Sequence, residues 1–256
     1  MDAFARKLAE ALNDPGLLDQ TPDRERQQLE AAHAGDELGR LEPQGPVPAI
    51  SARAIDMIVG FEVSSRAAYD RRYRHPIWPK GRSGVTFGIG YDAGYVDAPT
   101  LRADWTGNAS DAHIALLQTT CGVTGQGAER LLGTVRDVDI AFDNAMAVFR
   151  DVTLVQTIAK TVRLLPNADK LHPDSLGALV SLVYNRGASF ALAGDRYSEM
   201  RQIRQAMQES AFERIPDCIR SMKRLWANDP NARGLLVRRD LEALLFEEGL
   251  AQQAPP

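Results

Sequence analysis

The sequence predicts an α+β fold, with one small sheet followed by a bundle of helices. Three observations predict it. A single β-like stretch, residues 84–95, stands in a chain whose other periodic segments recur at helical spacing. The segment from Asp174 to Gly187 is apolar nearly all round, the pattern of a helix enclosed by other helices. The composition, 44% hydrophobic and 25% charged over 256 residues, supports a buried core and excludes a wholly disordered or collagen-like chain.

Each element has its own signal. Ala3 to Leu12 places Phe4, Leu8 and Leu12 on one helical face, and Asp14-Pro15-Gly16 stops it. A polar, acidic stretch follows. The run Glu42-Pro43-Gln44-Gly45-Pro46-Val47-Pro48 then reads as an extended linker, which sets a boundary near Ile50. Residues 1–50 are therefore expected to be a separate acidic segment, and residues 51–250 the folded domain. Ser51 is a plausible N-cap before Ile55, Ile58 and Val59, which share one face. Ser110 with Asp111 caps a helix carrying Ile114 and Leu117 that Gly122 ends, and Asp137 to Phe149 reads as another. After the central segment come three amphipathic helices, around Met200–Met207, Pro216–Trp226 and Leu235–Phe246.

Charge and motif content exclude several function classes. The net charge is −4, of which the first fifty residues carry −5 and the rest +1, so no basic footprint for nucleic acid is expected. No apolar run approaches the roughly 18–20 residues of a membrane span, and the N-terminus has no apolar core of a Sec-type signal peptide. Cys121 and Cys218 read as unpaired thiols. His33, His75, His113 and His172 show no metal spacing, and GxSxG, Walker A and GxGxxG patterns are absent from the sequence, so neither metal nor cofactor is expected.

Two features carry chemistry. Glu62 continues the stripe of Ile55, Ile58 and Val59 at i, i+3, i+4 and i+7, which places a carboxylate on an apolar helix face. Burial there disfavours the charged form, as a general acid working near neutral pH requires; the alternative is a Glu in the last turn that faces water. In Gly84-Val85-Thr86-Phe87-Gly88-Ile89-Gly90-Tyr91-Asp92, alternation puts Val85, Phe87, Ile89 and Tyr91 on one bulky face and Thr86 and Asp92, spaced by glycines, on the other. A straight strand would hold Thr86 and Asp92 roughly 20 Å apart at about 3.3 Å per residue. A shared site therefore requires the glycines to bend the chain or turn it into a hairpin. Two carboxyls in unequal surroundings are what acid-catalysed glycoside hydrolysis uses.

Gly60-Phe61-Glu62, Tyr69 and Thr86-Phe87-Gly88-Ile89-Gly90 resemble the Glu…Thr-x-Gly-x-Gly signature of phage T4-type lysozymes. Ala178 through Gly187 resembles their central helix, and Gly234-Leu235 through Arg238-Arg239 and Glu242-Ala243 their Arg-rich C-terminal segment. The order matches over about residues 51–247. The resemblance implies a lysozyme-like fold, a small hairpin subdomain packed on a helical bundle. It also implies a muramidase that cleaves the β-1,4 bond between N-acetylmuramic acid and N-acetylglucosamine in peptidoglycan. Glu62 matches the family's general acid and Thr86 its hydroxyl near the attacking water. The segment between them is longer than the family's, and Tyr91 stands where the family has His. Asp92 resembles the placement in pesticin-like bacterial toxins and is the favoured second carboxylate, with Asp70 in reserve. Tyr91, Tyr95 and Trp78 are candidates for stacking on sugars or for the core, and Asn185 and Arg186 for lining the cleft. The implied mechanism is inverting, with a lytic transglycosylase left open. The implied role is an antibacterial effector, made without a Sec signal and delivered to a target periplasm by a secretion machine such as type VI. A periplasmic immunity protein would then be its partner. An endolysin and a wall-binding module without catalysis are the alternatives.

Overall fold

The structure, a computed structural model, describes residues 2–14, 40–41 and 45–253. The acidic stretch between Asp19 and Glu37, the stop at Pro15-Gly16 and linker residues 42–44 lie outside the described residues. The elements run α1 (Ala3–Leu12), α2 (Ala52–Val63), α3 (Arg66–Arg72), β1 (Thr86–Phe87), β2 (Tyr91–Asp92), α4 (Ala98–Trp105), α5 (Asp111–Gln118) and α6 (Gln126–Val135). There follow α7 (Phe142–Val148), α8 (Leu154–Leu164), α9 (Pro173–Arg186), α10 (Ser198–Glu209), α11 (Ile215–Ser221) and α12 (Arg233–Gln253). Phe149–Thr153, a π-helical turn, joins α7 to α8. With one two-stranded antiparallel sheet among helices, the class is α+β, as the patterning predicts. No helix among the described residues is long and apolar enough to cross a membrane.

The chain divides into two compact units. One comprises the chain up to Phe61 together with Gln156 onward; the other is Glu62–Val155. Helix α1 belongs to the first. It buries Phe4, Leu8 and Ala11, and the Leu12 methyls occupy the space a Cβ at Gly60 would need. The Phe4 ring lies under the Arg53 guanidinium at 4.8 Å, and Arg53 bridges Asp2, Asp174 and Glu248. Helix α1 is thus fastened to the bundle.

Helix α9 forms the centre of the first unit, with Leu176, Leu179, Val180, Leu182 and Val183 all buried. Gly187, at φ 73°, ends it in a conformation a glycine adopts without strain. It packs on α2 through Gly177, where a Cβ would come within 2.3 Å of the Ala54 Cβ, and on α12 through Gly249 against Ser175. Along the same seam Ser175 Oγ donates to the Phe246 carbonyl at 2.8 Å and Ser181 Oγ to Glu242 Oε1 at 2.7 Å. Glu242 also accepts from Arg238 and Arg239, and all three are essentially fully buried. A buried carboxylate between two guanidiniums is costly to desolvate, so breaking one partner destabilises far more than the pair's net worth.

In the second unit, Trp105 of α4 packs against Phe87 and Tyr91 with ring centroids 5.0 and 5.5 Å apart. Tyr69 of α3 packs edge-on to Phe142 and donates its hydroxyl to the Ile140 carbonyl. The helix read from Asp137 begins only at Phe142, because residues 138–140 are drawn alongside Arg74 and His75. Ile140 N–H donates to the Arg74 carbonyl at 2.9 Å, and Arg74 pairs with Asp139.

Candidate active site

The β1–β2 ribbon is a hairpin. Gly88 (φ 61°) and Gly90 (φ 70°) adopt left-handed backbone, and the loop Gly88-Ile89-Gly90 returns the chain so that Phe87 pairs with Tyr91 and Thr86 with Asp92. Directly opposed residues in an antiparallel pair have Cα atoms about 4.5–5.5 Å apart and side chains on one face. The separation of roughly 20 Å in a straight strand thereby collapses to one cross-strand pair. The opposite face is the bulky one, since Val85, Phe87, Ile89 and Tyr91 are all buried. Gly88 must be small there: a Cβ would lie 2.8 Å from the Trp105 indole.

Both site residues are half-buried. Thr86 is held on its other side by Ile77, the two exchanging backbone hydrogen bonds at 2.8 Å, and its hydroxyl lies 3.4 Å from the Gly84 carbonyl. The Asp92 carboxylate accepts from Gly84 N–H (3.0 and 3.1 Å to its two oxygens) and from Gly94 N–H at 2.8 Å. It therefore caps the 3-10 turn Ala93–Tyr95 and clips the start of the ribbon to its end. Gly84 and Gly94 press together so closely that a Cβ on Gly84 would stand 2.3 Å from both Asp92 Oδ1 and Gly94 N. Sequence reasoning missed this clip; its only trace is a glycine two residues before Thr86 and another two after Asp92.

Glu62 lies in the same unit, half-buried in the last turn of α2. The helix ends beside it because Ser64 takes a left-handed conformation (φ 62°) and Ser65 caps α3 by accepting from Ala68 N–H. Asp70, the reserve carboxylate, stands on an exposed face of α3 with its side chain 41% accessible and Arg74 at 3.9 Å. Tyr91 is a core residue. It is 6% exposed, its ring meets Phe87 and Trp105, and its hydroxyl donates to Asp104 at 2.7 Å. No ring face is left for a sugar.

Asn185 and Arg186 end α9 in the other unit. Arg186 is 3% exposed, lies 5.2 Å from the Trp226 ring centroid and donates to the Arg196 carbonyl. Asn185 is half-buried, and its Oδ1 accepts no hydrogen bond among the described residues.

No known family model matches the chain, and no curated protein sequence matches it.

Proposed function

We propose that the chain is a lysozyme-like muramidase that hydrolyses the β-1,4 bond between N-acetylmuramic acid and N-acetylglucosamine in peptidoglycan. The observation that carries this reading is the hairpin register, Thr86 opposite Asp92 on the small-residue face of a ribbon whose other face is packed solid. Glu62, at the end of an apolar helix, acts as the general acid and protonates the leaving glycosidic oxygen. The Thr86 hydroxyl and the Asp92 carboxylate position the water that attacks the anomeric carbon from the opposite side, the division of labour of an inverting glycosidase. Its biological role is that of an antibacterial effector or toxin, delivered to a target periplasm and neutralised in the producer by an immunity protein; a phage endolysin would use the same residues.

One observation favours a second reading. The Asp92 oxygens already hold the amides of Gly84 and Gly94. A lytic transglycosylase needs only Glu62: the acid protonates the leaving oxygen, the sugar's own 6-hydroxyl attacks the anomeric carbon, and Glu62 takes up that hydroxyl proton. Mass spectrometry of the products from purified peptidoglycan separates the readings. Free reducing ends support the hydrolase and anhydro ends the transglycosylase. Wall that binds the protein and stays uncleaved overturns both and leaves a wall-binding module.

A further inference from the structure

We propose that Trp78 and Tyr95 form the platform on which one N-acetylated sugar of the glycan is held beside the Thr86–Asp92 pair; this rests on reading that pair as a glycan-cleaving site. Among the described aromatics, Phe4, Tyr69, Phe87, Tyr91, Trp105, Phe149, Phe190, Trp226 and Phe246 are buried. Trp105 and Trp226 are 0% and 4% exposed, whereas Trp78 is half-buried. Tyr95, at 47%, is the one exposed large aromatic among the described residues.

Neither ring dangles. The Trp78 Nε1–H donates to the Ser83 carbonyl at 3.1 Å, and the Tyr95 hydroxyl donates to the Arg82 carbonyl at 3.1 Å. The two anchors are consecutive carbonyls, on residues whose Cα atoms are about 3.8 Å apart. An amphipathic ring whose polar tip is already satisfied and whose apolar body meets water suits the C–H face of a pyranose. Because the tether fixes the ring's orientation in advance, less conformational entropy is lost when the sugar binds.

The roots of the two rings connect them to the candidate site. Trp78 directly follows Ile77, which exchanges both backbone hydrogen bonds with Thr86. Tyr95 closes the 3-10 turn that the Asp92 carboxylate caps. The segment between them is stitched down as well: Lys80 and Gly81, both with positive φ, reverse the chain, and the Ser83 carbonyl accepts from Gly125 N–H at 2.9 Å. The stretch from Arg71 to Arg82 is thus what supplies Trp78 and the Arg82 anchor.

The test uses the full chain carrying Glu62→Gln, which keeps the ligand uncleaved, titrated calorimetrically with the soluble β-1,4 hexamer of N-acetylglucosamine. Trp78→Ala and Tyr95→Ala are each expected to weaken binding at least tenfold. Trp78→Phe and Tyr95→Phe, which keep a ring, lose less than the alanine variants. Quenching or enhancement of tryptophan fluorescence on binding is expected to vanish in Trp78→Phe, since the other two tryptophans are interior. Thermal unfolding of the Tyr95 variants should match the parent, as the ring is exposed. Alanine variants that bind the hexamer as tightly as the parent overturn the platform, as does a parent that binds no hexamer. Wall cleavage by the unaltered chain is measured in parallel. Cleavage with ring-independent binding rejects the platform alone, and ring-dependent binding without cleavage supports the platform while rejecting the muramidase.

Discussion

Asp92 clips two backbone amides and is proposed to position the attacking water, and two substitutions divide the clip from the proposed chemistry. Asp92→Ala removes the acceptor for Gly84 N–H and Gly94 N–H, both on buried residues. Each buried donor left unsatisfied costs about 1–3 kcal/mol, so about 2–6 kcal/mol in all. For a chain of this size that is a fall in Tm of about 2–4 °C per kcal/mol. Asp92→Asn keeps a carbonyl oxygen able to accept from both amides, loses the charge and puts its amide NH2 where Oδ2 meets Gly84 N–H, so it should cost about 1–3 kcal/mol, less than Asp92→Ala. Its rate of reducing-end release from purified wall should nevertheless fall by about 10²–10⁴-fold if the carboxylate positions the attacking water. Melting by circular dichroism and a reducing-sugar assay read the two effects independently. An Asp92→Asn protein active within a few-fold of the parent would refute the chemical role and leave the carboxylate as a clip. An Asp92→Ala protein as stable as the parent would refute the clip.

Three further outcomes follow from the same geometry. Asp70→Asn, at an exposed position 3.9 Å from Arg74, should leave wall cleavage within about twofold and Tm unchanged, surface pairs contributing little; a loss matching that of Asp92→Asn transfers the role to Asp70. Glu242→Ala should destabilise by about 3–5 kcal/mol in denaturant titration, because it removes the buried carboxylate that two buried guanidiniums share; a change under about 1 kcal/mol contradicts the pairing. For Glu199, burial opposes ionisation, but hydrogen bonds from Arg224 and Ser198 outweigh it and hold the carboxyl below its usual range. Its contribution is therefore complete above the ordinary carboxylate value and is lost as pH falls through the lower folded one. Glu199→Gln should lower stability at neutral pH and flatten the acid side of the stability–pH curve, and an unchanged acid slope counts against it.

Much of the fold was legible in local pattern. The all-round apolar run of α9 and its glycine stop were readable because burial on every side leaves no polar face to confuse the period. The period-2 alternation was a sound guide: it put Tyr91 on the packed face, and the interior is where the ring lies. Helices α3, α4, α6 and α8 went unread; α8 (Leu154–Leu164) runs straight on from α7 through the π-helical turn, with no break in the chain to mark its start. α3 and α4 are only seven and eight residues long, and α6 starts at a left-handed glycine with no side-chain cap. The late start of α7 depends on residues 138–140 meeting Arg74 and His75, a long-range contact that no window of sequence contains. At the site, glycine spacing pointed to a bend, but the register that sets Thr86 against Asp92 needed the backbone. The Asp92 clip joins residues eight apart through backbone amides, a partner type that carries no signature in side-chain identity.

The central claim is that Glu62 supplies the proton for cleavage of the glycan. Its most direct test is Glu62→Gln, a nearly isosteric change at a half-buried helix end, assayed on purified peptidoglycan beside circular dichroism and thermal melting. The account predicts loss of new chain ends by about 10²-fold or more, in keeping with removal of a general acid, with spectrum and Tm retained. Cleavage at the parent rate by the folded variant would contradict it.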